Sequence, residues 1–344
     1  MKKVKKYMGL SLFIFFISLA VFINGCFVQP DDIIVKETST SEIIEIAENT
    51  ETEIASEFSV NTEFGVMEIF VFAIGKADTI LITTENHTVM IDTGENKHGP
   101  AILDYLLRCG ITEIDYLVIT HFHKDHVGGA HVIINNLDVK EAVVPNYGKE
   151  SKHYDRFIAA VNDAKIEQTI LKEIIKFTLD GVEFTIYPSH SEYHYYGNSD
   201  IDDEQDDDEY EDENEKDDDD DIGENITNEN NFSLAVSINH GENNFLFTGD
   251  AKSKRLKELM SAEDIANTRY DYLKVPHHGR YNKRSEEFIY TVRPKYAVIT
   301  CYPENPSDER VVAALENIGA EIYFTTNGGI YCESDGQSLI IEYR

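Results

Sequence analysis

Four side chains able to bind a metal ion fall within six residues in His121-Phe122-His123-Lys124-Asp125-His126. His121 and His123 are two apart, so in an extended chain they project to the same side. Asp125 and His126 come after the chain must turn, a turn eased by Gly128 and Gly129. Imidazoles and carboxylates suit zinc, and also manganese or iron. Four such groups can give one pair to each of two ions. Phe245-Leu246-Phe247-Thr248-Gly249-Asp250 delivers another carboxylate, and Lys274-Val275-Pro276-His277-His278-Gly279 delivers two adjacent imidazoles. Gly-Asp alone marks little more than a turn, and a His pair alone reads equally as capping or core histidines. Three consecutive apolar runs, each ending in ligand-type residues, are how a sheet builds a site along one edge.

The elements that must position these groups read as alternating strands and helices. Short β-rich apolar runs occupy residues 66–73, 79–83, 89–91, 117–119, 184–187, 234–238, 244–247, 272–275 and 297–299. Pro100 followed by Ile102, Leu103, Leu106 and Leu107 has helical spacing, and Gly110 stops it. Residues 155–164 and 251–260 are further helices, and Ser307 can N-cap one that carries Val311, Val312, Ala314 and Leu315 to near Gly319. The alternation predicts a layered α/β sandwich over residues 66–344.

Asp92 in Ile91-Asp92-Thr93-Gly94, the run at 121–126, Thr248-Gly249-Asp250 and His277-His278-Gly279 together resemble the metallo-β-lactamase superfamily. Within it, the chain is similar to the metallo-β-lactamase-type domain of ComEC-type competence proteins and their soluble relatives. Ile74-Gly75-Lys76-Ala77-Asp78-Thr79-Ile80-Leu81-Ile82, Asn231-Phe232-Ser233-Leu234 and the tail from Phe324 to Ile330 carry that closer likeness. The resemblance implies a four-layer αββα sandwich holding two divalent ions. It implies His121 and His123 as ligands of the first metal, and Asp125, His126 and one of His277 and His278 for the second. Asp250 would bridge the two, and Asp92 would support the site from behind. Two departures stand out. Where most hydrolases of the superfamily supply a third histidine, this chain has Asn230-Asn231-Phe232-Ser233, leaving Asn231, water or His190 to complete the first site and Ser233 beside it. Arg280 replaces a customary serine after His-His-Gly, either contacting an anionic substrate or standing as an ordinary exposed arginine.

Two such ions, with zinc the first expectation, lower the pKa of bound water from about 15.7 toward 7 and polarise a phosphoryl or carbonyl oxygen. A protein nucleophile is then unnecessary, and the chain has no Gly-x-Ser-x-Gly elbow. Cys109, Cys301 and Cys332 carry no motif and read as buried thiols. Asp125 is a generic option for the proton work. The expected activity is hydrolysis by metal-activated hydroxide, with a leaning to phosphodiesters of nucleic acid, wall polymer or a small molecule. In ComEC-type proteins the domain is associated with degrading one DNA strand during uptake. An ester or lactam hydrolase, or an inactive surface binding lipoprotein on the same fold, is the alternative.

The N-terminus predicts export. Lys2, Lys3, Lys5 and Lys6 precede an apolar run and Ile23-Asn24-Gly25-Cys26, which resembles a lipobox with Cys26 as the lipidated residue. Residues 1–26 would be a signal peptide, 27–65 an acidic tether, and the body would sit on the outer face of a membrane through its lipid. Residues 200–224 hold 18 acids and one lysine, a density that predicts a disordered insertion over about 199–230. The formal net charge of −34 lies mostly in the tether and this insertion. What remains on the body leaves no broad basic groove, so no stable nucleic-acid complex is expected, while an anionic small molecule or polymer could still approach two bound cations.

Overall fold

The computed structural model describes residues 64–190 and 228–344. The expected signal peptide with Cys26, the tether up to residue 63, and the acidic run at 200–224 lie outside the described residues.

Six strands come first: β1 (Met67–Val71), β2 (Ile80–Thr83), β3 (Thr88–Ile91), β4 (Glu113–Val118), β5 (Asp138–Pro145) and β6 (Glu167–Leu171). Then follow β7 (Ile175–Leu179), β8 (Val182–Tyr187), β9 (Ala235–His240), β10 (Asn243–Phe247), β11 (Tyr272–Lys274), β12 (Tyr296–Ile299) and β13 (Glu321–Phe324). The last two, β14 (Ile330–Ser334) and β15 (Leu339–Tyr343), return to the first sheet. The sheets are ordered β15-β14-β1-β2-β3-β4-β5-β6 and β13-β12-β11-β10-β9-β8-β7.

Each sheet buries both faces, and the strands show it residue by residue. In β10, Phe245 and Phe247 point into the core between the sheets, whereas Leu246 points outward beneath helices, as the two-residue period of a strand requires. Ile69, Val71 and Ile82 meet Phe184, Val236 and Phe245 between the sheets. The outer face of the first sheet is covered by α1 (Gly99–Arg108), α3 (Ala130–Ile134) and α4 (Lys152–Ala164), with the single turn α2 (Lys124–Val127) at its edge. Outside the second lie α5 (Ser253–Ser261), α6 (Glu263–Ala266), α7 (Ser285–Val292) and α8 (Glu309–Asn317), which pack Leu256, Phe288 and Leu315 on Leu246, Leu273 and Ala297. This is the four-layer αββα sandwich.

Three local expectations change. Helix α8 is capped by Asp308, not Ser307: the Asp308 carboxylate accepts from Arg310 N at 2.8 Å. Cys109, expected to be buried, ends α1 in an exposed position, while Cys301 and Cys332 are buried. Cys109 caps α1 just past its last residue, Arg108. The expected insertion is also shorter at its C-terminal edge, because Glu229–Phe232 form a 3-10 turn with Asn230 buried.

Candidate metal centre

Parallel pairing decides where the ligand-type residues meet. β3, β4 and β5 run parallel in one sheet, and β10, β11 and β12 run parallel in the other. The loops that follow β3, β4, β10, β11 and β12 therefore leave the carboxyl ends of their strands, the edge where open α/β sheets bind ligands. The sheets are tied there by Leu234 N donating to Thr120 O at 2.9 Å and Thr300 Oγ1 donating to Asp78 Oδ1 at 2.7 Å.

His121 and His123 follow β4. His121 Nε2 lies 3.0 Å from His123 Nδ1, and the His121 and His126 rings are 4.1 Å apart between centroids. Asp125 and His126 lie in α2, which begins just after His123. Asp250 follows Gly249, whose φ of +53° turns the chain off the end of β10. Asp125, His126, Asp250 and His278 each present a ligand atom, all within 4.8 Å of one another. Asp250 Oδ2 stands 3.3 Å from His126 Nε2 and 3.0 Å from His278 Nε2.

The adjacent histidines part company. Both carry positive φ, +49° at His277 and +56° at His278, a backbone state that costs a non-glycine residue about 1–3 kcal/mol. The turn swings the two rings apart, to 6.2 Å between centroids. His278 enters the carboxylate cluster; His277 Nε2 instead faces Asn230 Nδ2 at 3.4 Å. Of the open pair, His278 is among the converging groups and His277 is not.

The Asn-rich segment divides in a similar way. Asn231 turns from the histidines, and its side-chain oxygen accepts from Arg255 N at 3.1 Å near the start of α5. Asn230, one residue earlier, is buried and is the asparagine that faces His277. Ser233 Oγ accepts from Asp250 N at 3.2 Å and so steadies the carboxylate's backbone. His190 sits against Glu258, whose carboxylate accepts from His190 N at 2.8 Å. Arg280 closes the His-His-Gly turn by donating its N–H to His277 O at 2.9 Å. Asp92 is buried behind His126, with Oδ2 2.7 Å from Nδ1, and accepts from Thr120 N at 2.8 Å and Thr120 Oγ1 at 2.7 Å.

Sequence reasoning gave no role to Asp78, Lys274 or Thr300. Lys274 is fully buried and forms an ion pair with Asp78, which is also buried. A lysine inside the apolar run of β11 is the one signal that could have marked it, because a buried lysine needs a partner. Asp78, Asp92 and His126 form a second cluster of ligand-type atoms, but there the Lys274 ammonium already supplies the cation.

Electrostatics follow from this crowding. Burial opposes ionisation of Asp250, yet His278 and His126 outweigh it and hold the carboxyl well below the usual range. Asp125 is likewise held well below, by His126 and His278 against burial. Burial opposes protonation of His126, but Asp250, Asp92 and Asp125 push it well above 6.5. His121 goes the other way: burial, then His126 and His123, keep it well below 6.5.

The donor set fits divalent ions. His126 Nε2 and His278 Nε2 are buried, complete no hydrogen bond and converge on Asp250 Oδ2, at 3.3 and 3.0 Å. Buried polar atoms are nearly always satisfied, and orphaned lone pairs aimed at one point are what a cation takes. His121 and His123 offer a second pair next to it. A four-layer sandwich with such a cluster along one edge defines the class of metallo-β-lactamase-fold, metal-dependent hydrolases. The family profile for the metallo-beta-lactamase superfamily matches residues 74–301, and this chain belongs to that superfamily. It is 25% identical over 283 residues to ComE operon protein 3 of Bacillus subtilis, covering 76% of this chain and 32% of that protein. It is 25% identical over 239 residues to Recombination protein 2 of Haemophilus influenzae, covering 68% of this chain and 24% of that one. The chain thus spans about a third or less of the length of these curated relatives. Among solved structures, the metallo-beta-lactamase fold protein YhfI from Bacillus subtilis aligns with a TM-score of 0.47 at 10% identity, over 75% of this chain and 96% of that one.

Proposed function

We propose that this protein is an extracytoplasmic binuclear metallohydrolase acting on phosphodiesters. The observation that carries the reading is the convergence of His126, His278, Asp125 and Asp250 on one buried point, with His121 and His123 paired beside them. Two divalent ions, zinc by preference and manganese or iron by the same donor chemistry, would lower the pKa of water and draw charge from a phosphoryl oxygen. The chain's own residues hold that centre. Asp92 orients His126 through Nδ1, Thr120 anchors Asp92, and Ser233 steadies Asp250. Asp125 alone of the four-residue cluster keeps partial exposure. The body is acidic and Lys274 is spent on Asp78, so attraction of an anion rests on the bound cations. That favours a small-molecule or polymer phosphodiester processed and released over a nucleic acid held stably. The leader with Cys26 supports lipid anchorage on the outer membrane face. The likeness to ComE operon protein 3 and Recombination protein 2 keeps DNA among the substrates to be assayed.

The test is metal content of the purified full chain together with turnover of bis-p-nitrophenyl phosphate, DNA and nitrocefin. About two metal ions per chain and phosphodiester turnover support the reading. Undiminished turnover in a His121→Ala/Asp250→Ala variant sinks the metal mechanism, and turnover of nitrocefin alone moves the enzyme to lactam substrates. The Asn230 side chain facing His277, where relatives of the superfamily place a third histidine, favours one second reading: a metal-poor binding protein, shown by absence of metal and of turnover together.

A further inference from the structure

Thr300 lies just past the end of β12 with its hydroxyl buried between two groups. It donates to Asp78 Oδ1 at 2.7 Å, and the same oxygen lies 2.9 Å from His278 Nδ1. A hydroxyl has one proton. With that proton committed to Asp78, Thr300 can only accept from His278, so in the neutral imidazole Nδ1 carries the hydrogen and Nε2 is left with its lone pair. Nε2 is the nitrogen that faces Asp250 and Asp125, at 3.0 and 3.6 Å. Lys274 supplies the direction of the chain of bonds. Its ammonium pairs with Asp78 Oδ2, keeping that carboxylate a pure acceptor.

The same construction occurs in the other sheet. Thr120 Oγ1 donates to Asp92 Oδ2 at 2.7 Å and lies 3.1 Å from His121 Nδ1, which leaves His121 Nε2 to face His123. Two threonines just past strand ends, one per sheet, each take a buried aspartate on one side and a site histidine on the other.

We infer that Thr300, aligned by the Asp78–Lys274 ion pair, is a positioning residue that selects the His278 tautomer presenting a bare Nε2 to the metal centre. This deepens the metallohydrolase reading and rests on it. Partners behind a ligating histidine typically change metal affinity by about 10–100-fold when removed. The relay makes a sharper demand than orientation alone: it needs the hydroxyl, whereas packing needs only the shape.

The experiment compares Thr300→Val, which keeps the shape and loses the hydroxyl, with Thr300→Ser, which keeps the hydroxyl. Zinc affinity of the full chain is read by competition with a chromophoric chelator, alongside the melting temperature of the metal-free protein. Expected is a loss of about 10–100-fold for one of the two zinc ions in Thr300→Val, with Thr300→Ser close to the parent. Equal affinity of Thr300→Val and parent overturns the inference, as does an equal loss in both variants. Should the parent bind no zinc, the metallohydrolase reading falls by itself. The tautomer is then read by imidazole 15N NMR of the metal-free protein at alkaline pH: a hydrogen on Nδ1 of His278 upholds the relay, and one on Nε2 overturns it.

Discussion

Asp92 Oδ2 lies 2.7 Å from Nδ1 of His126, with both side chains shut off from solvent. The pair leaves His126 Nε2 as the face turned to Asp250, 3.3 Å away. Asp92 also sits at φ +56°, a conformation aspartate and asparagine tolerate better than other side chains. Asp92→Asn therefore keeps the backbone and removes the charge. The expected outcome is zinc bound about 10–100-fold more weakly, measured by chelator competition, with far-UV circular dichroism unchanged.

Alkaline pH should destabilise the metal-free chain. Burial works against protonation of His126 and His278, but their carboxylate neighbours raise both above 6.5, Asp250 first in each case. Each thus gains affinity for a proton on folding. The resulting stabilisation is complete below the unfolded imidazole value and is lost as pH rises through the raised folded values. Urea unfolding midpoints with a chelator present should fall across that range. Zinc replaces the protons, so the loaded protein should show a flatter alkaline limb, and Asp250→Asn without metal should flatten it as well.

Gly249 sets the approach of Asp250. It holds φ +53°, and a Cβ there would stand 2.9 Å from Thr120 Cβ and Oγ1. Gly249→Ala brings both the strain of the backbone and a clash with the threonine that anchors Asp92. The expected cost is about 1–3 kcal/mol from the backbone alone, read as a lowered urea midpoint. Weaker zinc binding should accompany it, because the Asp250 carboxylate is displaced.

The acidic segment should be dispensable for folding. Arg255 is fully buried; its Nε donates to Ser233 O at 2.9 Å and its Nη2 to Tyr187 O at 2.8 Å. One guanidinium thus clamps the chain on both sides of the segment. Deleting residues 200–224 should leave the melting temperature and zinc content within error of the parent. Arg255→Ala should instead cost several kcal/mol, since hydrogen bonds to a charged donor contribute about 1.5–3 kcal/mol each. A deletion that unfolds the body would show the segment to be structural.

The sequence by itself determined the layered sandwich, the strands that end in ligand-type residues and the side chains that could converge there. Those features are written in short-range patterns: an apolar run with a two-residue period, and ligand types at its end. Strands β5, β6, β7, β13, β14 and β15 went unread; in β6 and β7 polar residues interrupt the run, as in Glu167–Leu171, where burial is confined to Leu171. Only the tertiary structure decided which of two adjacent histidines joins the cluster, and which of two adjacent asparagines faces the other histidine. Neighbouring residues have the same local signal, and positive φ at His277 and His278 is imposed by what surrounds the turn. The Lys274–Asp78 pair and its Thr300 link were likewise settled in three dimensions. They join residues from both sheets, 222 positions apart for Thr300 and Asp78, and a contact of that range leaves no periodicity in the chain.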